Sequence, residues 1–96
     1  MRKTLKKHYT RYSDPGHSWM AVKRNELIRL GILHLISSYS YQKGETVYLE
    51  EDCDLRKFER AKTEKGESWS FTMTYREKTP IRRYKSFFLD TSAVAV

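Results

Sequence analysis

The sequence predicts a small single-domain α+β protein, in which an antiparallel sheet combines with two short helices in the order ββα-ββα-ββ. Residues 69–75 carry an apolar side chain at every second position, with serine or threonine between, as in a strand that has one apolar face. Two segments with helical spacing of apolar residues each end at a glycine, Gly31 and Gly66. A chain of 96 residues has room for one core only.

The first ββα unit is predicted over residues 8–32. Residues 8–12 alternate as a strand, and residues 13–16 carry turn chemistry, because proline presets φ and glycine tolerates positive φ. A second strand at 17–22 completes a hairpin. A helix over 24–30 follows, with Gly31 placed to end it.

A second hairpin is predicted with strands at residues 35–42 and 46–50. A two-residue turn would pair Tyr41 with Thr46 and place three tyrosines on one face. A three-residue loop would pair Tyr41 with Glu45 and place Tyr41 on the face of Val47. The second register is favoured, because the first needs a positive φ at a lysine.

The remaining elements complete the predicted order. Asp54 is a candidate N-cap for a helix over 55–65 that Gly66 ends. Residues 67–76 form the alternating strand, predicted to be antiparallel, and residues 81–89 form the last strand.

Basic charge is concentrated at the N-terminus. The formal net charge is +7, and residues 1–12 contribute five basic residues and no acid. We therefore predict a basic arm over 1–11, a single α+β domain over 12–89 and a flexible tail over 90–96. Basic side chains neutralise phosphates and tyrosines stack on bases, so the arm is either a nucleic-acid contact or a solvated terminus. The candidate phosphate contacts are Lys3, Lys6, Lys7, Arg11 and Lys85.

Aromatic and arginine side chains supply a second set of candidates, for contact with a partner or a ligand. An imidazole beside an indole, as in His17-Ser18-Trp19, can orient a ligand. The alternative is a buried or half-buried turn histidine satisfied by Asp14 or by backbone. Charges inside the apolar strand 81–89 indicate either an edge protected against aggregation or a binding rim. The candidates are His17, Trp19, Tyr39, Tyr41, Arg82, Arg83 and Tyr84.

Four acids lie within residues 50–54. Such a cluster could hold magnesium, but acids also favour a helix start, and no calcium-loop spacing is present. We predict no metal site and assign Glu50, Glu51 and Asp52 to contact with a basic partner surface.

Enzyme chemistry is not indicated. The sequence contains no phosphate loop, dinucleotide-binding turn, nucleophile elbow or HExxH helix. Cys53 could pair with a histidine as a nucleophile, but its acidic neighbours disfavour the thiolate. We predict no catalytic residue and no cofactor. The single cysteine fits a reducing compartment, and no apolar run or signal peptide directs the chain to a membrane, so a cytoplasmic location is predicted.

Two segments resemble small proteins encoded by bacteriophages and other mobile elements. They are DPGHSW at residues 14–19 and ISSYSYQKGETVYLEEDCD at residues 36–54. The resemblance implies an accessory phage product that acts in the infected bacterial host. It implies inhibition of a bacterial defence system of the CRISPR, restriction or nucleotide-signalling type, by stoichiometric binding to a host defence protein or nucleoprotein complex.

Two alternatives remain open at this stage. The first is a basic nucleic-acid-binding module that acts on DNA or RNA, for which binding should weaken steeply with salt. The second is an assembly factor that forms a homo-oligomer through an exposed strand edge.

Overall fold

The computed structural model describes residues 7–89 and confirms the predicted class of a small α+β domain. One six-stranded, mostly antiparallel sheet has the strand order β5-β1-β2-β4-β3-β6. The elements are β1 (Lys7–Ser13), β2 (Ser18–Lys23), α1 (Arg24–Arg29), β3 (Tyr41–Lys43), β4 (Thr46–Glu50), α2 (Asp54–Glu64), β5 (Trp69–Tyr75) and β6 (Lys85–Ser86), with 3₁₀ helices at Leu33–Leu35 and Pro80–Arg83. Within residues 7–89, no helix is long and apolar enough to span a bilayer.

The main core lies on one face of the sheet, which we call the helix face. Alternate residues of the central strands, such as Met20, Val22, Val47 and Leu49, pack there against Phe58 of α2. Because side chains alternate across a strand, their neighbours in sequence project from the opposite, open face. The candidate site is built on that open face.

Helices α1 and α2 end close to Gly31 and Gly66, the glycines that were predicted to end them. The N–H of Ile32 donates to the carbonyl of Leu27 at 3.0 Å, and the N–H of Gly31 donates to that of Ile28 at 3.0 Å. This pair of bonds is a Schellman motif, and it requires the positive φ of 74° that Gly31 adopts. The start of α2 differs from the prediction, since Cys53 is its N-cap and Asp54 is its first residue.

The β3–β4 register differs from both predicted registers. Lys43 pairs with Thr46 and Tyr41 pairs with Tyr48, so the turn residues are Gly44 and Glu45. Gly44 takes φ of 60° at the first turn position, which spares the lysine a positive φ. Tyr41 therefore lies on the open face and not on that of Val47, the opposite of the favoured prediction.

Strand β5 is parallel to β1, so the prediction of an antiparallel strand at 67–76 is wrong in direction. Alternation shows that a strand has two faces and carries no information on its direction. β5 is an edge strand of the sheet. Trp69 packs against the core, whereas Phe71, Met73 and Tyr75 are exposed.

The predicted strand at 81–89 is wrong over most of its length. Thr79 Oγ1 accepts a hydrogen bond from the N–H of Ile81 at 3.1 Å and caps a 3₁₀ helix, and β6 has only two residues. A straight strand would place Ile81 and Phe87 on the same face. In the structure Phe87 joins the helix-face core, while Ile81 lines a cavity with sheet tyrosines of the open face.

Two other predicted boundaries also move. β1 begins at Lys7, so residues 7–11 of the predicted arm belong to the sheet. The first strand of the second hairpin, predicted from residue 35, begins at Tyr41 after a 3₁₀ helix and a loop. Residues 1–6, including Lys3 and Lys6, and the predicted tail at 90–96 lie outside the described residues.

Candidate binding cleft

A cleft of about 430 Å³ opens on the open face of the sheet. The register between β2 and β4 pairs Trp19 with Glu50, and the β3–β4 register brings Tyr41 to the same face. The other walls come from the turn at 14–17, the loops at 37–40 and 51–53, and the 3₁₀ helix Pro80–Arg83. The lining residues are His17, Trp19, Tyr39, Tyr41, Glu50, Asp52, Cys53 and Arg82.

The cleft brings together most of the predicted partner-contact residues. His17, Trp19, Tyr39, Tyr41 and Arg82 all line it, although they come from three separate segments of the chain. Two of the three acidic candidates, Glu50 and Asp52, line it as well.

Asp14 organises one side of the cleft. Its carboxylate accepts hydrogen bonds from the N–H groups of Gly16 and His17, each at 2.9 Å, which fixes the turn that carries His17. The same carboxylate binds Arg82 through Nε at 2.5 Å and Nη2 at 3.1 Å. The Arg82 guanidinium, with help from those N–H groups, holds the pKa of Asp14 well below its ordinary value although burial opposes the shift.

Trp19 forms the floor of the cleft and is only 2% exposed. The Arg82 guanidinium lies 5.3 Å from its ring centroid, within the range of a cation–π contact. The rings of His17 and Tyr41 lie 6.0 Å and 6.1 Å from it. Within residues 7–89, the buried indole Nε1 of Trp19 has no hydrogen-bond partner.

Acidic side chains also line the cleft. Glu50 Oε2 lies 3.3 Å from His17 Nδ1, and Glu50 Oε1 accepts a hydrogen bond from the N–H of Asp52 at 3.0 Å. Asp52 is exposed. His17 is exposed, unlike the alternative of a buried or half-buried turn histidine; Asp14 binds its backbone N–H, and its ring contacts Glu50.

The loop that carries Tyr39 is fastened from below by the buried carboxylate of Asp54. Asp54 Oδ2 accepts hydrogen bonds from the hydroxyls of Ser37 at 2.8 Å and Ser40 at 2.5 Å. Burial alone would raise the pKa of Asp54, but the bonds from Ser40, Lys57 and Ser37 lower it below its ordinary value. Tyr39 itself is 71% exposed at the rim, so an exposed aromatic ring stands on an anchored loop.

The charge of the cleft is opposite in sign to that of the whole chain. Glu50 and Asp52 contribute two carboxylates, whereas the single guanidinium is already paired with Asp14. A chain of formal charge +7 thus presents an aromatic cleft with an acidic side.

Other sequence-predicted residues lie elsewhere. Glu51 binds Arg11 at 3.4 Å and also accepts a hydrogen bond from Ser18, and Lys7 binds Glu26 at 3.2 Å. The structure does not bring these residues into the cleft. The exposed side chains of Arg83 and Lys85, and the half-buried ring of Tyr84, are also absent from its lining.

A tyrosine cluster lies on the same open face, and of its members the sequence analysis selected only Tyr84. Tyr48 stands 5.2 Å from Tyr84 and 6.2 Å from Tyr12 between ring centroids, and Lys43 Nζ lies 5.0 Å from the Tyr84 ring. The three tyrosines, together with Arg76 and Ile81, line a cavity of about 200 Å³. Alternation in β4 carried this signal, but only the observed register shows that Tyr48 faces away from the core.

Comparisons with family models, curated proteins and solved structures find no match to this chain. The cleft must therefore be interpreted from its own chemistry. Within residues 7–89, no three histidine, cysteine, aspartate or glutamate side chains converge as a metal site would require.

Proposed function

We propose that the protein acts without catalysis, by stoichiometric binding, and that the cleft is its contact surface for a partner protein. The observation that carries this proposal is that aromatic and arginine side chains from separate segments line one cleft. They are His17, Trp19, Tyr39, Tyr41 and Arg82. Interface hot spots are enriched in tryptophan, tyrosine and arginine. Tyr39 presents its ring on a loop that is already ordered, which reduces the entropy lost on binding.

Resemblance to phage and mobile-element proteins supports a specific setting for this activity. In this proposal the partner is a bacterial defence protein or nucleoprotein complex in the cytoplasm of the infected host. A nucleotide signal is a weaker fit, since its phosphates would meet Glu50 and Asp52 in the cleft. Docking on a protein surface is therefore the favoured mechanism.

A pull-down from host lysate, with and without nuclease, tests the proposal. Tagged protein should retain one partner in fixed ratio after nuclease treatment. Arg82→Ala should reduce capture about tenfold or more, because Arg82 covers Trp19 and lines the cleft, a loss typical of an interface hot spot.

The matched control is Arg83→Ala, which removes the same exposed side chain from the neighbouring position outside the cleft lining. Tyr39→Ala provides a second cleft variant, with Phe88→Ala as its exposed aromatic control. Equal capture by the cleft variants and their controls would contradict the proposal.

The tyrosine cluster favours a second candidate function, nucleic-acid binding. Tyrosines beside Lys43 and Arg76 on an open sheet face are the side-chain types that contact single-stranded nucleic acid. Binding to a labelled oligonucleotide should then weaken with salt, and Lys43→Ala should reduce the salt slope whereas Lys65→Ala should not. Nucleic acid captured without any retained protein would promote this candidate over the first.

A further inference from the structure

The aromatic and acidic walls of the cleft define the chemical class of group that it accepts. We propose that the cleft takes a basic side chain, arginine or lysine, from the partner, an inference that rests on the proposed protein-binding function. The evidence is the position of Tyr39 and Tyr41 beside Glu50 and Asp52 in one cavity.

Arg82 provides an internal example of this recognition. Its guanidinium lies over the Trp19 ring at 5.3 Å while Asp14 binds it through two nitrogens. Aromatic faces combined with carboxylates are the surroundings that attract a cation from water. Arg82 pairs with Asp14, and within residues 7–89 it forms no ion pair with Glu50 or Asp52.

The carboxylates of Glu50 and Asp52 lie beside aromatic rings in the same cleft. Within residues 7–89, Glu50 has only the His17 ring as an ion-pair partner and Asp52 has none. Tyr41 and the exposed Tyr39 supply the ring surfaces beside them. A cavity of about 430 Å³ is large enough for a long side chain to enter from the rim.

Nuclear magnetic resonance of the indole N–H groups tests the inference directly. The chain has two tryptophans, of which Trp19 forms the floor of the cleft and Trp69 lies on the edge strand β5. The variant Trp69→Phe removes one of the two indole N–H signals and so assigns both. The probes are N-acetyl-arginine amide and N-acetyl-lysine amide, with N-acetyl-citrulline amide as the uncharged analogue of arginine.

We expect the Trp19 signal to shift saturably with the two cationic probes and about fivefold more weakly with citrulline, while Trp69 remains unchanged. Asp52→Asn should weaken arginine binding about fivefold, near the upper limit for an exposed ion pair. The control Glu45→Gln removes an equal charge from a residue outside the cleft lining and should have no effect. Equal binding of arginine and citrulline, or no shift at all, would overturn the inference.

The two proposals fail differently. If capture of the partner depends on Tyr39 and Arg82 but no cationic probe shifts the Trp19 signal, the proposal that the cleft takes a basic side chain is contradicted. The proposed protein-binding function then stands. If the arginine probe binds but Tyr39→Ala and Arg82→Ala both capture the partner as well as the original protein does, the proposal that the partner uses this cleft is contradicted.

Discussion

Asp14 shows how one side chain links a local turn to a distant segment. Within the turn it accepts hydrogen bonds from two backbone N–H groups, as aspartate commonly does before Pro-Gly. It also binds Arg82, which is 68 residues away in the chain. The turn that carries His17 and the segment that carries Arg82 therefore both depend on this carboxylate.

We expect Asp14→Asn to lower the free energy of unfolding by about 1 to 2 kcal/mol at neutral pH, since the ion pair is lost and one amide cannot replace the whole set of bonds. Solvent screening of the half-exposed Arg82 keeps the effect from being larger. Urea unfolding of the variant and the original protein measures this difference.

The difference should depend on pH in a defined direction. Folding lowers the pKa of Asp14, so its stabilising contribution is complete above the ordinary aspartate pKa of about 3.9 and is lost as the pH falls toward the folded value. The gap between the two proteins should thus be narrower at pH 3 than at pH 7. An equal gap at both values would show that the ion pair does not supply the stability.

The sequence could predict which side chains take part in the cleft, but not how they contact one another. His17, Trp19 and Tyr41 were identifiable as aromatic side chains beside turns and strands, which are common binding positions. The partner of Arg82 was not identifiable, because the contact with Asp14 depends on how the last segment folds over the sheet.

At the scale of elements, the loop at 37–40 and helix α2 are joined through Ser40. Its side chain is fully buried, donates to Asp54 at 2.5 Å and accepts from the N–H of Glu50 at 3.0 Å. One hydroxyl therefore connects the loop of Tyr39 with a strand that supplies the acidic wall.

We expect Ser40→Ala to lower the free energy of unfolding by about 1 to 3 kcal/mol, because it leaves two buried polar groups short of a partner. It should also reduce partner capture, because the positions of Tyr39 and Glu50 would be less well fixed. Thermal unfolding and the pull-down measure the two effects. Ser38→Ala, in the same loop but exposed, is the control and should change neither.

Element boundaries were predictable where glycine or proline marks them and uncertain where only alternation does. Gly31 and Gly66 end their helices with positive φ, as predicted. Period-two patterns located β4 and β5 but fixed neither the register of the first nor the direction of the second, since both depend on contacts between strands.

At the scale of the whole molecule, Lys62 of α2 joins three other segments. It is 1% exposed, and its ammonium binds Glu26 of α1 at 3.1 Å and Glu67 before β5 at 3.0 Å. Tyr9 of β1 donates to the same Glu26 carboxylate at 2.9 Å, and burial raises the pKa of Tyr9 to about 12.

Lys62→Met should lower the free energy of unfolding by about 3 kcal/mol, because it leaves the Glu26 carboxylate buried without its closest buried cation. Lys62→Met combined with Glu26→Gln should lose clearly less than the sum of the two single variants. Chemical denaturation of the four proteins measures this coupling. Additive losses would indicate that Lys62 acts through its aliphatic stem alone.

The edge strand β5 is a candidate surface for the homo-oligomer that the sequence analysis left open. Its seven residues carry no charge, and Phe71, Met73 and Tyr75 expose an apolar row beside a backbone edge that no strand within residues 7–89 covers. Natural edge strands usually carry charges that prevent pairing. Two copies of β5 can pair antiparallel without bringing like charges together, which favours a second copy of this chain as the occupant.

We therefore expect the mass measured by light scattering to rise toward that of a dimer as concentration increases. Met73→Lys should keep the protein monomeric, because it places a charge on the row that the second copy must cover. Ile28→Lys adds the same charge at an exposed apolar residue of α1 and should leave association unchanged. A monomer at every concentration would show that β5 remains a free edge, and the cleft would then act in a single copy of the chain.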